Sequence, residues 1–297
     1  MIVVTGATGN IGSRLVRELA ARGQAVRAFV RDAAKAEAVL GGDVEVAVGD
    51  FADPASIRAA VAGADTVVVS SANDPRQAEY EANVFDAVVA TGGHRVVKIS
   101  SVGAHARSRA SFVDWHHRSE QHLARSNLAG TVLRCNFYMS NLFAYADTIR
   151  EAGQVVAPAG GATVAMVDPR DVAAAAAVVV TEGGHDAATY LLTGPEALTF
   201  AQVAASLSAA LGRPIEFVDV PGQAAREGAL ASGLPEWLAD GLVSLFGVLE
   251  DGIAAATTDT VRALTGRDPR SLREFVQDHA GVFGGSGGSV EAARRRE

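Results

Sequence analysis

The sequence predicts an α/β fold built on a doubly wound parallel sheet, and two observations support that prediction. Short apolar runs rich in valine recur along the first half of the chain, and stretches of helical composition separate them. Apolar residues dominate each run instead of alternating with polar ones, as expected for parallel strands that helices cover on both faces. The predicted strands span residues 2–4, 26–30, 44–48, 66–69, 96–99 and 131–133.

Local signals place helices between these strands. Asp53 followed by Pro54 combines a side-chain cap with a first-turn proline, which predicts a helix over residues 55–62. Thr91, followed by two glycines, ends the helix before the fifth strand. The alanine- and valine-rich run 172–180 is too short to span a bilayer and is best explained as a buried core helix.

The chain divides into three predicted regions. Residues 1–134 carry the regular strand and helix alternation, and later strands could still join their sheet. Short strands near 154–156 and 163–167, followed by further helices, predict a smaller, mostly helical C-terminal lobe over residues 135–280. Residues 281–297 are rich in glycine, serine and charge, which predicts a disordered tail.

Composition excludes several classes of function. The net charge is −8 and the basic residues are scattered, so no footprint for nucleic acid is present. Cys135 is the only cysteine, which excludes an internal disulfide and a cysteine-based zinc cage and fits a reducing compartment. No apolar run approaches the ~20 residues that cross a bilayer. We therefore expect a cytoplasmic protein with no nucleic-acid or membrane partner.

A glycine-rich loop follows the first strand and carries the clearest functional signal. Its glycines have the spacing GxxGxxG. Gly6 allows a sharp turn, Gly9 lets the backbone approach a pyrophosphate, and Gly12 lets the following helix pack on the strand. The helix N-terminus adds N–H donors for the phosphates. The loop predicts a Rossmann-type domain that binds a nicotinamide dinucleotide, with further contacts from Thr8, Asn10 and Ile11.

The end of the second strand, where the adenosine ribose is normally bound, favours NADP(H) over NAD(H). An acid such as Asp32 would accept hydrogen bonds from the 2′-hydroxyl of NAD, whereas Arg31 could pair with the 2′-phosphate of NADP. Arg31 comes first, and Lys35 lies one helical turn farther on. Solvated surface bases are the alternative for both residues.

Polar residues follow the other predicted strands, at the sheet edge where ligands bind in open α/β folds. After the third strand we expect Asp50 to accept a hydrogen bond near the adenine, with Phe51 as an apolar wall, although Asp50 could equally cap its own loop. Two pairs of serines follow the fourth and fifth strands, and we expect all of them to bind the cofactor: Ser70, Ser71, Ser100 and Ser101. Ser100 and Ser101 could orient the nicotinamide or a substrate oxygen.

Together these features resemble the NmrA-like branch of the atypical short-chain dehydrogenases/reductases, and in particular its NAD(P)H:quinone oxidoreductase subgroup. The resemblance extends to about residue 280 and implies an extended Rossmann domain, NADPH across the strand ends, and a cleft closed by the C-terminal lobe. It rests on residues 5–12, 30–32, 49–50, 83–92, 99–101, 131–134 and 136–141.

One departure from ordinary short-chain dehydrogenases limits the chemistry. When the chain is aligned with them on Glu120, Phe112 stands at the position of their proton-donating tyrosine. His116 stands at the position of the lysine that follows four residues later. A phenyl ring cannot donate a proton, so the usual route for ketone reduction is missing. A quinone is less demanding, because hydride addition yields a stabilised phenolate that water can protonate. The resemblance implies that the quinone subgroup also has histidine at the position of His116.

Three further side chains complete the predicted site. His116 could hydrogen-bond the nicotinamide ribose or relay a proton, since imidazole titrates near working pH. Tyr138 could stack on a planar substrate or donate a proton, and the resemblance implies that Asn136 contacts the nicotinamide amide. Plain packing is the alternative for His116 and Tyr138. No metal site and no flavin are expected.

The sequence therefore predicts an NADPH-dependent oxidoreductase that transfers hydride to a quinone or a similar electron-poor small molecule. Two alternatives stay open at this point. The chain could be a regulatory protein that senses NADP(H) without turnover, or a tailoring reductase or isomerase of secondary metabolism. A homodimer is also left open.

Overall fold

The computed structural model describes residues 1–105 and 108–284, and a seven-stranded parallel sheet lies at its centre. The sheet order is β3-β2-β1-β4-β5-β6-β9, and every neighbouring pair is parallel. The predicted doubly wound sheet is confirmed. The strands are β1 (Ile2–Thr5), β2 (Val26–Val30), β3 (Glu45–Val48), β4 (Thr66–Val69), β5 (Arg95–Ser101), β6 (Ala129–Cys135), β7 (Gln154–Ala157), β8 (Thr163–Val164), β9 (Thr189–Leu192), β10 (Leu198–Thr199) and β11 (Glu216–Asp219).

Helices connect and cover these strands, and a 3₁₀ helix (Met139–Tyr145) follows β6. The α-helices are α1 (Asn10–Ala21), α2 (Ala33–Leu40), α3 (Pro54–Val61), α4 (Gln77–Ala90), α5 (Ser111–Arg125), α6 (Ala146–Ala152), α7 (Pro169–Thr181), α8 (Phe200–Leu211), α9 (Gly222–Ala231), α10 (Glu236–Glu250), α11 (Thr260–Thr265), α12 (Leu272–Asp278) and α13 (Ala280–Phe283).

Each face of the sheet carries its own apolar core. Side chains of α1 and α7 pack on the face that includes Val4, and those of α3, α4 and α5 pack on the face that includes Val3. Successive strand residues point to opposite faces, so helices on both sides require strands that are apolar throughout. The sequence order reverses at β1, which lies between β2 and β4. A crevice for ligands forms at such a reversal, outside the carboxyl ends of the strands.

The second half of the chain contributes to two cores. Helix α7 and strand β9 return to the sheet layer, and the run 172–180 lies buried within α7. Helix α11 packs on both of them, and most of the remaining residues form a separate core around Phe200, Phe246 and Phe275, with two small two-stranded sheets. Phe283 is fully buried in that core, so ordered packing extends beyond residue 280; residues 285–297 of the predicted tail lie outside the described residues. The domain division at residue 134 stays a prediction.

Within residues 1–105 and 108–284, none of the helices combines the length and the apolar character needed to cross a membrane.

Candidate active site

The predicted site residues gather at one edge of the sheet. Arg31, Asp50 and Ser70 each follow a parallel strand within two residues, at the end of β2, β3 and β4, while Ser100 and Ser101 end β5. Because the carboxyl ends of parallel strands meet at one edge, these residues border the crevice beside β1. The structure therefore brings the sequence-predicted positions together.

The glycine loop is folded too tightly for side chains at two of its glycines. Gly6 has φ +59°, and a Cβ there would lie 2.5 Å from the carbonyl oxygen of Ser70. A Cβ on Gly12 would lie 2.8 Å from the carbonyl carbon of Gly6 and 2.9 Å from the Cα of Ala7. The loop thus packs on itself and on the end of β4, which brings bare backbone to the crevice.

Helix α1 begins directly after this loop and has an open N-terminus. Its N-cap residue, Gly9, supplies no side-chain cap, and the first turn contains no acidic residue. The first N–H groups of a helix have no partner within the helix, so these donors are available to an anion. Asn10 Nδ2 donates to Ser140 Oγ (2.7 Å), which ties the first residue of α1 to the 3₁₀ helix, and Arg14 donates to the Asn10 carbonyl (2.7 Å) within the first turn of α1. This cradle fits a pyrophosphate.

The end of β2 carries exposed basic residues and an acidic residue that already accepts a hydrogen bond. Arg31 and Lys35 are exposed, and their side chains have no hydrogen-bond or ion-pair partner in the described parts of the chain. Asp32 instead caps α2, because its carboxylate accepts from the backbone N–H of Lys35 (3.0 Å). Arg31 is therefore available to a 2′-phosphate, while the cap already engages one carboxylate oxygen of Asp32.

The two residues after β3 differ in how open they are to a ligand. Asp50 Oδ1 accepts from the backbone N–H of Ala52 (2.8 Å), so this oxygen closes its own loop. Phe51 is half-buried; its ring meets Phe29 edge to face at 5.8 Å and stacks on Tyr80 at 6.3 Å between centroids. The role expected for Phe51, an apolar wall beside the adenine, stays a prediction. The adenine contact of Asp50 stays a prediction.

The strand-end serines are mostly engaged by protein groups. The backbone of Ser70 exchanges hydrogen bonds with Thr5 Oγ1 (3.0 Å each). Ser71 Oγ donates to Glu81 Oε1 (2.6 Å), and Ser100 Oγ donates to Glu120 Oε1 (2.6 Å). These bonds orient the hydroxyls of Ser71 and Ser100 toward carboxylates.

A buried polar cluster lies beneath this edge, and the sequence analysis missed most of it. Lys98 on β5 and Glu81 on α4 form an ion pair in which both side chains are fully buried. Ser119 and Gln77 also donate to the Glu81 carboxylate, and Lys98 Nζ lies 3.3 Å from Nδ1 of the half-buried His116. One signal was present in the sequence: a lysine between the apolar residues of a predicted parallel strand needs a buried partner.

The cluster changes the ionisation of its members. Burial opposes ionisation of Glu81, but the charge of Lys98 and the donated hydrogen bonds keep its pKa below the ordinary value. Burial, followed by the nearby Lys98 ammonium, lowers the pKa of His116 from 6.5 to about 3. His116 is therefore a neutral imidazole at physiological pH.

The position of the missing tyrosine is a packing site. Phe112 is buried and its ring lies 5.5 Å from that of Trp115, which in turn lies 6.0 Å from Trp237 on α10. These rings join α5 to the C-terminal lobe. No proton donor takes the place of the tyrosine hydroxyl at this position.

The residues after β6 are held firmly by their neighbours. Asn136 is buried; its amide donates to the Ala254 carbonyl (3.0 Å) and accepts from the Phe137 N–H (2.7 Å), so the nicotinamide contact implied by resemblance stays a prediction. Tyr138 is half-buried, and burial raises its pKa well above the ordinary value. Burial likewise raises the pKa of the Cys135 thiol to about 12, consistent with a packing role.

Over the described ranges 1–105 and 108–284, no group of three or more His, Cys, Asp or Glu side chains is placed to hold a metal ion.

Comparisons with known proteins agree with this architecture. An NAD(P)H azoreductase of Xenophilus azovorans is 38% identical over 284 residues, which cover 96% of this chain and 99% of the relative. A (4-alkanoyl-5-oxo-2,5-dihydrofuran-3-yl)methyl phosphate reductase of Streptomyces griseus is 37% identical, with 95% and 99% covered. The structure of the Escherichia coli NADPH-dependent quinone oxidoreductase QOR2 complexed with NADPH matches with a TM-score of 0.87 and 30% identity, covering 94% of this chain and all of that one.

The NmrA-like family model matches residues 1–276, a span that includes the glycine loop, the complete parallel sheet and most of the C-terminal lobe. The resemblance inferred from the sequence is confirmed by this match. The chain belongs to the NmrA-like family.

Proposed function

We propose that this chain is an NADPH-dependent reductase that transfers hydride directly, without a flavin, to a quinone or a similar electron-poor conjugated acceptor. One observation carries the proposal. The tightly folded glycine loop is intact, while Phe112, a buried phenyl ring, occupies the sequence position at which ordinary short-chain dehydrogenases have the proton donor for carbonyl reduction. The expectation of an oxidoreductase that uses NAD(P)H is itself confirmed, because the relatives described above are oxidoreductases.

The acceptors named for the relatives share one chemical property. An azo compound, a quinone and an alkanoyl-oxo-dihydrofuran each contain a conjugated, electron-poor π system. Such a system delocalises the electron pair that arrives with a hydride, so no strong acid is needed at the moment of transfer. This property supports the same acceptor class for a site in which the tyrosine is absent.

Preference for NADPH over NADH is part of the proposal. The exposed Arg31 guanidinium has no side-chain partner among the described residues and lies where the adenosine 2′-phosphate would bind, while Asp32 is engaged as a helix cap. NADPH supplies the hydride when bound. The chain's own groups would hold its phosphates at the N-terminus of α1 and place a hydrogen-bond donor, His116, beside the ribose or the acceptor.

The test is a turnover assay with purified protein and no added flavin. Loss of nicotinamide absorbance is followed with benzoquinones, naphthoquinones, an azo dye, a conjugated enone and a saturated ketone, and binding of NADPH, NADP and NADH is measured by calorimetry. We expect saturable turnover with the conjugated acceptors and none with the saturated ketone. Tight NADPH binding without turnover would favour a redox sensor, and reduction of the saturated ketone would contradict the acceptor class.

A further inference from the structure

We propose that the buried pair Glu81–Lys98 holds His116 as the neutral Nε2–H tautomer, so that this histidine is a permanent hydrogen-bond donor at the active site. Lys98 and Glu81 are then positioning residues, which act through His116. The part of the inference that concerns catalysis rests on the proposed function, whereas the tautomer itself does not.

The donors around the imidazole determine where its proton lies. Lys98 Nζ is 3.3 Å from His116 Nδ1, and Gln77 Nε2 is 3.2 Å from the same atom. An ammonium and an amide NH₂ group can only donate. Both donors approach Nδ1 most closely, which favours the lone pair on Nδ1 and, in a neutral imidazole, the proton on Nε2. The second contact of the Gln77 amide, to Nε2, is longer at 3.4 Å.

The surrounding charges also disfavour an imidazolium. The charged groups that face His116 are Lys98 from β5 and Glu81 from α4. The Glu81 carboxylate already accepts hydrogen bonds from Lys98, Ser71, Ser119 and Gln77, and the Lys98 ammonium balances its negative charge. A proton on Nδ1 would face the Lys98 ammonium directly. The low pKa of His116 agrees with this geometry.

Stability alone does not explain the pair. A buried ion pair repays its desolvation only with good geometry, and apolar residues of similar volume are often as stable or more so. Here both side chains have no exposed surface, and the carboxylate accepts hydrogen bonds from Lys98 and from three further donors. Orientation of the adjoining imidazole is a function that apolar replacements would not supply.

The tautomer has a defined consequence for hydride transfer. Hydride transfer moves two electrons from the dihydronicotinamide to the acceptor, so the cofactor is oxidised and the acceptor is reduced. An oxygen or nitrogen atom of the acceptor then gains negative charge. A neutral Nε2–H could donate a hydrogen bond to that atom, or to the nicotinamide ribose, without losing its proton. Water supplies the proton that completes the reduction. The donor strength of His116 would thus stay constant across physiological pH.

The direct test is long-range ¹H–¹⁵N correlation spectroscopy of the histidine rings in the wild-type protein labelled with ¹⁵N-histidine. The His116 signals are assigned by their loss in His116→Gln. We expect the Nε2–H pattern, with no titration from about pH 5 to about pH 8. An Nδ1–H pattern or a charged ring in this range would overturn the inference, and the measurement needs no variant of the ion pair.

Variants of the pair separate positioning from structure. In Lys98→Met, Glu81 loses its counter-charge, so His116 should become the cation that balances it and should titrate in this pH range. The kcat/KM of this variant should then vary with pH across the range, whereas that of the wild type should not. In Lys98→Met/Glu81→Gln, the ring should stay neutral but populate both tautomers. An unchanged Nε2–H signal in the folded double variant would show that the pair does not control the tautomer.

The two proposals fail separately. If His116 is the Nε2–H tautomer but no acceptor is reduced, the proposed function fails and the tautomer assignment stands. If conjugated acceptors are reduced while His116 has the other tautomer, the reductase proposal stands and this inference is wrong.

Discussion

The ring of Phe112 on α5 packs against the backbone of Gly241 on α10, so closely that a Cβ at Gly241 would lie 2.5 Å from Phe112 Cε1. This contact joins the sheet domain to the C-terminal lobe at the position where related dehydrogenases place their tyrosine. The phenyl ring thus has a structural partner of its own, which accounts for its burial without any role in proton transfer.

Replacing Gly241 by alanine should destabilise the protein. The added methyl would overpack a buried ring, which typically costs about 1–3 kcal/mol, and this loss should outweigh the ~1 kcal/mol gained from helix propensity. Urea unfolding measures the difference. Gly247→Ala is the matched control in the same helix, because its nearest neighbour atom is 3.7 Å away on Arg109. Equal stabilisation by both alanines would contradict the tight contact.

Phe112→Ala should lower stability while hydride transfer persists. Truncation of a buried phenylalanine commonly costs about 3–5 kcal/mol because it removes apolar contacts and leaves a cavity. Quinone turnover is measured below the unfolding temperature of the variant, with near-UV circular dichroism as the control for folding. A fully folded but inactive variant would show that this position takes part in the chemistry.

Arg31→Ala should weaken NADPH binding far more than NADH binding. Loss of a hydrogen bond to a charged group costs about 1.5–3 kcal/mol, and only NADPH carries the 2′-phosphate. Calorimetry with both cofactors measures the difference. Arg22→Ala is a control for net charge, since Arg22 pairs with Glu18 at the far end of α1. Equal losses for NADPH and NADH would refute the 2′-phosphate assignment.

Gly12→Ala should distort the glycine loop that we expect to hold the phosphates of the cofactor. Its Cβ would press on the backbone of Gly6 and Ala7, and backbone cannot yield as a flexible side chain can. We expect weaker NADPH binding together with a lower melting temperature. Gly42→Ala, which meets no atom within 4 Å, should change neither quantity. Normal cofactor affinity in a folded Gly12→Ala protein would contradict the described loop.

Stability should fall as the pH drops below 6.5, and His116 should contribute to that fall. Its folded pKa lies at about 3, below the ordinary 6.5, so between these values the unfolded chain binds a proton that the folded protein does not. The contribution of the neutral His116 to the free energy of unfolding is therefore fully present above pH 6.5 and is lost as the pH falls toward 3. Urea midpoints measured across this range should decrease less for His116→Gln than for wild type.

A helix-matched substitution, His117→Gln, tests whether loss of any histidine from α5 has the same effect. Identical pH dependence in the wild type and His116→Gln would mean that His116 does not have the depressed pKa described here.

The sequence by itself determined the parallel sheet, the glycine loop and the NmrA-like family, because these depend on local pattern: apolar runs, helix caps, and glycines where a side chain does not fit. Only the tertiary structure decided which polar groups pair. Lys98 meets Glu81 from another element, and the Asn136 amide bonds to Ala254, 118 residues away in the chain. Such contacts form only when helices and loops pack on the strands. The order of residues along the chain does not show which distant side chains that packing brings together.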